Sequence, residues 1–479
     1  YRAGYQGTSG NGITTGDYNT AMGANAFGGS AGAAITGDGN TAIGGEAMLE
    51  AQGAVANNTA IGFASLQDIT TATYNVAIGS GAGTNITTSP ENVLIGALAG
   101  DAITDQAGGI IAVGTGSLGA LTAGIKNTAI GHVALSVEVA GDDSTAIGYA
   151  SLQNQTGNTG RVANTALGYY SGNAITTGKK NTMLGALAGY GAEEVSESVI
   201  IGYGAGFADI ENTADGTVAI GFSALGVLTT GAQNTAIGYK SQDANTTGSW
   251  NTTVGYNSGG ALIAGSNSNT AIGAGALSAG NNAATDNNTC VGSASGDVII
   301  AGHTNTIIGA DSDPSAAGGT NQTTLGYGVT GTGNNEVAIG NTSVSAIKAQ
   351  VTSITAYSSD ERTKKDVKDY NINGLDFIKE LQLKTYIYKN PADYPDEIKN
   401  PMYDNPDLKP DDPTETQVGF IAQEVEEALK KHNISNVETY APTQESGIKT
   451  LTYGNLIFPL IKAVQELSAK VTELENKLK

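Results

Sequence analysis

Ser359 and Lys364 are the pair in this chain whose types and spacing could do covalent chemistry. A serine hydroxyl with a lysine amine five residues downstream can act as nucleophile and base, provided the amine is held neutral. An ordinary lysine, with a pKa of about 10.4, is protonated at neutral pH, so burial or neighbouring cations would have to supply the neutral form. A second reading of the same stretch is purely local: Ser358 caps a helix and Glu361, three residues on, completes a capping box. Spacing alone leaves both open. The stretch also marks a change of character, because the 358 residues before Ser359 carry 30 charged side chains and the 121 from Ser359 onward carry 38.

The elements that must position the pair lie downstream. Leu375 to Leu381 reads as a short helix and Leu383 to Tyr388 as a strand. Residues 391–413 hold six of the ten prolines and many acids, which predicts a surface excursion. Phe420 to Lys431 reads as a helix with Ile421, Val425 and Leu429 on one face. The last segment places Ile457, Ile461, Val464, Leu467, Val471, Leu474 and Leu478 at steps of three and four, the pattern of an amphipathic helix suited to a parallel coiled coil.

Three segments in this order carry a family resemblance: Ser359-Asp360-Glu361-Arg362 followed by Lys364, Asp366 and Val367; Gly419-Phe420-Ile421-Ala422-Gln423-Glu424-Val425; and Pro459-Leu460-Ile461-Lys462-Ala463-Val464-Gln465-Glu466-Leu467. Together they resemble the endosialidase-type intramolecular chaperone found at the C-terminus of phage tail fibres and tailspikes. The resemblance implies a small α+β domain over 359–479 that helps the fibre trimerise and then cuts itself off. It places the scissile bond between Ser358 and Ser359 and makes Ser359 and Lys364 the catalytic dyad. Two departures stand out, Thr363 in place of an aliphatic residue and Val367 in place of Ile, and Thr363 could loosen the packing that aims Lys364.

Residues 1–340 are dominated by one short unit, Asn-Thr-Ala-Ile-Gly, whose Gly recurs nineteen times from Gly23 to Gly340; ten of the eighteen intervals are 17 residues long. A period this short fits one coil of a β-solenoid per unit. The residue three places before the Gly is Thr in thirteen units and Val or Ile in the rest, and the residue just before Gly is aliphatic or Met. These two positions share a strand face and are expected to line the coil interior. The residue between them, Ala in twelve units and otherwise Leu94, Met183, Ile200, Thr253, Cys290, Ile307 or Thr324, is then expected to point outward against other chains. A strand apolar on both faces is buried on both faces, so the expected state is a homotrimer. The unit resembles the head repeats of trimeric autotransporter adhesins, which implies a left-handed β-roll trimer. At about 4.8 Å per coil the rod would be on the order of 90 Å long. The Asn that opens thirteen units is expected to stack as an amide ladder. Cys290 reads as an Ala substitute in a buried ladder.

Phe63, His132, Tyr149, Tyr169, Tyr203, Phe222, Tyr239, Tyr256 and Tyr327 follow the repeat Gly directly and predict an aromatic stripe along one edge. Its tyrosines could stack on a cell-surface glycan, or the rings could merely cover the corner. After Gly340 the period stops, and 341–358 is read as a stem between rod and chaperone.

A formal charge of −22 argues against nucleic acid or an anionic membrane as partner. No run of about 18 apolar residues is present, so no membrane insertion is expected, and no leader pattern opens the chain. One cysteine excludes an internal disulfide framework. No cofactor or metal site is read. Gly4 to Gly23 reads as a truncated repeat, so a region that attaches to tail or baseplate proteins is expected ahead of it. The functional expectation is a virion tail fibre that binds a host surface glycan or protein receptor. Alternatives are a polysaccharide-degrading tailspike, for which the even repeat spacing leaves no room to build a cleft with two carboxylates, and a trimeric bacterial adhesin. A Thr ladder that binds ice is set aside because the Thr position is expected to be interior.

Overall fold

The computed structural model describes residues 16–29, 34–156, 159–344, 365–395, 412–434, 451 and 453–478. They fall into two compact units, Tyr1–Asn341 and Thr342–Lys479.

The first unit is a parallel β-solenoid. Each repeat contributes one three-residue strand, from Thr20–Met22 to Val337–Ile339, to a 19-stranded parallel sheet. The register is strict: Thr41, Ala42 and Ile43 pair with Thr59, Ala60 and Ile61, and those with Val76, Ala77 and Ile78. Three local features hold the coils. The repeat Gly leaves each strand at a backbone angle that only glycine adopts readily; Gly96 has φ +136°, and a Cβ there would lie 2.6 Å from the carbonyl of Gly114 on the next coil. The Asn column forms the expected ladder. Asn58 Nδ2 donates to Asn40 Oδ1 and Asn75 Nδ2 to Asn58 Oδ1, each at 3.1 Å, while Asn58 Nδ2 also donates to Ala72 O at 2.9 Å. These amides are fully buried and pair with neighbours on both sides, which buried amides require. The third feature is the turn after Gly, whose fourth and seventh residues, such as Leu66 and Ile69 or Leu118 and Leu121, fill the coil centre.

The strand facing is the reverse of the expectation. In every strand except the first and last, the central residue is buried and the flanking pair is partly or fully exposed. Ala42, Ala129, Met183, Ile200 and Cys290 therefore face the coil interior, while Thr128 and Ile130 point out. The reason is width. A three-residue strand turns one side chain inward, and a narrow coil already filled by Leu and Ile from its turn has room there for little more than Ala. The bulkier β-branched and aliphatic pair is left outside, so the coil still presents a half-apolar face that its own chain does not cover.

The second unit is α+β. Helix α1 (Gly374–Glu380) is capped by Asn373, whose side chain accepts from Asp376 N. Strand Lys384–Tyr386 pairs antiparallel with Gln417–Gly419. Helix α2 (Ala422–Lys431) ends where Asn433 takes φ +52° and Ile434 N donates to Leu429 O at 3.0 Å, a left-handed helix stop. Phe377, Val425, Ala428, Leu429, Ile434 and Leu456 form its core. Helix α3 (Ile457–Leu478) carries Pro459 in its first turn, where the missing N–H costs no intrahelical bond.

Candidate functional site

Ser358, Ser359 and Lys364, the residues singled out for self-cleavage, lie outside the described residues, as does most of the expected stem. The described chain resumes at Lys365. A few residues later Asp369, Tyr370 and Asn371 meet Phe458, Ile461, Lys462 and Gln465 of α3 around an open groove of about 540 Å³. Burial pushes the Tyr370 hydroxyl above its usual range. The segment after the groove is tied to α3: Gly374 N and Leu375 N donate to the carboxylate of Glu466 at 3.2 and 2.8 Å. Gly374 is needed for this approach, since a Cβ there would sit 2.7 Å from both Pro459 O and Ala463 N.

Away from α1, helix α3 exposes Ile457, Leu460, Ile461, Val464, Leu467, Val471, Leu474 and Leu478. The spacing 457, 460, 464, 467, 471, 474, 478 is an unbroken alternation of threes and fours, a seam that leaves a large apolar stripe to be covered. Ile461 stands beside this seam and lines the groove.

On the rod, the proposed stripe exists. Tyr149, Tyr169, Tyr203, Tyr239, Tyr256 and Tyr327 are all exposed, from 44% for Tyr149 to 62% for Tyr256. Tyr203, Phe222, Tyr239 and Tyr256 form a continuous parallel stack with centroids 5.2 to 5.6 Å apart. His132, Tyr149 and Tyr169 form a second. Within each stack the ring faces are occupied by neighbouring rings, so what faces outward is edges and hydroxyls, with free faces only at the ends. The sequence reading missed Tyr170, Tyr190 and Phe207, which extend the second cluster edge-on and then stacked. Tyr190 and Phe207 follow their repeat Gly at the same fifth position, one repeat apart, which was the available signal. A hydrogen bond to Tyr149 holds the Tyr170 hydroxyl above its usual range.

Cys290 is buried, and burial followed by the charge of Asp313 pushes its thiol up to about 12. Asp142 ends a two-residue strand, Gly141–Asp142, that pairs in parallel with Gly160–Arg161, and the adjacent Asp143 is paired to Arg161 at 2.9 Å. Among the described residues no group of three or more His, Cys, Asp or Glu could hold a metal ion. No described helix is long and apolar enough to cross a membrane.

Comparison with known proteins bears on part of the second unit. Residues 359–434 match the family model for the chaperone of endosialidase. The match implies a self-cleaving chaperone domain that serves trimer formation and folding. Joined to a parallel β-solenoid, the chaperone domain fits a tail fibre with a C-terminal folding aid. No curated protein matches the chain.

Proposed function

We propose that the chain is a homotrimeric host-attachment fibre whose chaperone domain promotes assembly and then releases itself by cutting before Ser359. The observation that carries this reading is the coincidence of the two units: a solenoid with an uncovered half-apolar face, followed by a family match that begins at Ser359 itself. In the trimer the outward Thr and Ile columns of the rod meet between chains, and the exposed seam of α3 packs into a parallel bundle. Parallel strands distant in sequence assemble slowly and expose edges meanwhile, which is the need such a domain meets.

For the cut, Ser359 Oγ attacks the carbonyl carbon of Ser358 and its proton passes to the neutral amine of Lys364. The peptide C–N bond breaks, the Ser359 amine leaves with that proton, and the Ser358 acyl group is held as an ester on Oγ. Water then hydrolyses the ester. Removal of the domain leaves a rod that cannot readily reassemble once unfolded, so its durability becomes kinetic. Attachment to a host glycan or protein receptor uses the exposed edges and free ends of the aromatic stacks, in a fibre mounted on tail or baseplate proteins and exposed outside the cell after release.

Denaturing electrophoresis tests the cut. Ser359→Ala and Lys364→Ala should each give an uncut chain near 48 kDa that still trimerises, whereas Lys365→Ala should be cut. Processing of Ser359→Ala at the same bond would remove the dyad and leave the capping-box reading of this stretch.

A further inference from the structure

The rod interior is graded in size in a way the repeat motif hides. In coils whose central strand residue is Ala, the fourth residue after Gly is typically large: Ala60 goes with Leu66, Ala112 with Leu118, Ala129 with Leu135, Ala146 with Leu152. In five of the seven coils whose central residue is larger, that fourth position is Gly: Leu94 goes with Gly100, Met183 with Gly189, Ile200 with Gly206, Thr253 with Gly259 and Cys290 with Gly296, while Ile307 goes with Asp313 and Thr324 with Thr330. Backbone conformation does not explain the glycines, because the fourth position is left-handed in both kinds of coil, φ +47° at Leu66 and +57° at Gly100. Space does. A Cβ on Gly100 would lie 2.9 Å from Leu94 Cδ2, and one on Gly189 would lie 2.7 Å from Met183 Sδ. The constraint reaches the preceding coil too, where a Cβ on Gly83 would lie 2.7 Å from Leu94 Cδ1 and one on Gly172 2.8 Å from Met183 Sδ.

Polar interiors repeat the logic with hydrogen bonds. Gln242 takes the usual Leu position and its Nε2 donates to Thr253 Oγ1 of the next coil at 3.0 Å, while Asn245 Nδ2 donates to Gln242 Oε1 at 3.1 Å. Buried Glu138 accepts from the N–H groups of Val139, Ala140 and Gly141 and from Gln155 Nε2 of the next coil at 2.7 Å.

A solenoid of near-identical units has weakly specified register, since the Asn, Ala and Gly columns of any two coils would pair almost equally well. We infer that these size-matched and hydrogen-bonded interior pairs are register locks that determine which coil stacks on which. A slip of one coil would set Leu94 or Met183 against a Leu, or take from Gln242 and Glu138 their next-coil partners Thr253 and Gln155, and close-packed interiors tolerate neither. Register along one chain is then written in that chain's own core, and what remains for the chaperone domain is alignment between chains. The inference holds whether or not the domain cuts itself.

The test uses the full chain and one lock. Leu94→Ala, the pair Gly83→Leu with Gly100→Leu, and the three together are compared by thermal unfolding. The triple variant rebuilds the pattern that three successive coils, Ala112/Leu118, Ala129/Leu135 and Ala146/Leu152, already have. Leu94→Ala should melt several degrees low and the double Leu variant should melt lowest or fail to form native rod. The triple variant should recover to within a few degrees of the parent. Register is read by placing Cys at Thr59 and Val93 in a Cys290→Ala background and treating with a short thiol crosslinker. These positions sit two coils apart in the native register, through Val76, and become neighbours after a one-coil slip. No crosslink is expected in the parent or triple variant, and a crosslink is expected in whatever soluble rod the double variant yields. A double variant as stable as the parent, or a triple variant no better than the double, would overturn the assignment.

Discussion

Glu466 caps helix α1 from the far end of the domain: its carboxylate accepts the N–H of Leu375 at 2.8 Å across 91 residues of chain. The first-turn N–H groups of α1 have no partner within the helix, and a carboxylate there also meets the positive end of its dipole. Glu466→Ala should therefore lower the stability of the chaperone domain by about 1 kcal/mol, measured by chemical denaturation. Glu466→Gln should recover part of it, since the amide oxygen can accept one of the two bonds. If Glu466→Ala matched the parent, the cap would contribute nothing.

The two faces of a rod strand should respond differently to a charge. Ala129 is fully buried inside the coil and Ile130 is 37% exposed beside it. Ala129→Asp buries a carboxylate without a partner and should prevent the coil from forming. Ile130→Asp should leave the monomer's β-rich circular dichroism intact and weaken assembly, read by sedimentation. Normal assembly of Ile130→Asp would place the chain contacts on another face.

The aromatic stacks make a separate prediction. Changing Tyr239 and Tyr256 to Ala removes half of the four-ring stack and should reduce adsorption to the target cell severalfold without altering the trimer. Unchanged adsorption would leave the rings as cover for the corner. A loss of trimer would assign them to the contact between chains.

Near the end of the rod, burial and then the charges of Asp297 and Asp311 push the Asp313 carboxyl from its ordinary 3.8 up to about 6. A raised carboxyl pKa in the folded state favours the protonated form, so its contribution to stability is full below about 3.8 and is lost as pH rises through about 6. Thermal midpoints across pH 4 to 8 should thus show a component that falls with rising pH, and Asp313→Asn should flatten it and melt higher than the parent above pH 6. An identical pH profile for the two proteins would refute the assignment.

What the sequence determined by itself was whatever is written in spacing. The recurring Asn, Thr and Gly placed nineteen strands in one parallel sheet, predicted the amide ladder of Asn40, Asn58 and Asn75, and located the helices of the C-terminal unit within a few residues. Such patterns are local, because one coil contacts only its neighbours and each helix period is visible in its own residues. Facing was different. Thr128 and Ile130 look like core and Ala129 like surface until the width of the coil is known, and that width is set by Leu135 from the turn, which the strand alone does not display. The ring stacks are of the same kind: Tyr239 and Tyr256 are seventeen residues apart in sequence, and only coil stacking turns their faces toward each other. Glu466 and Leu375 meet because α3 crosses α1 over Gly374, a closeness that no spacing along the chain encodes.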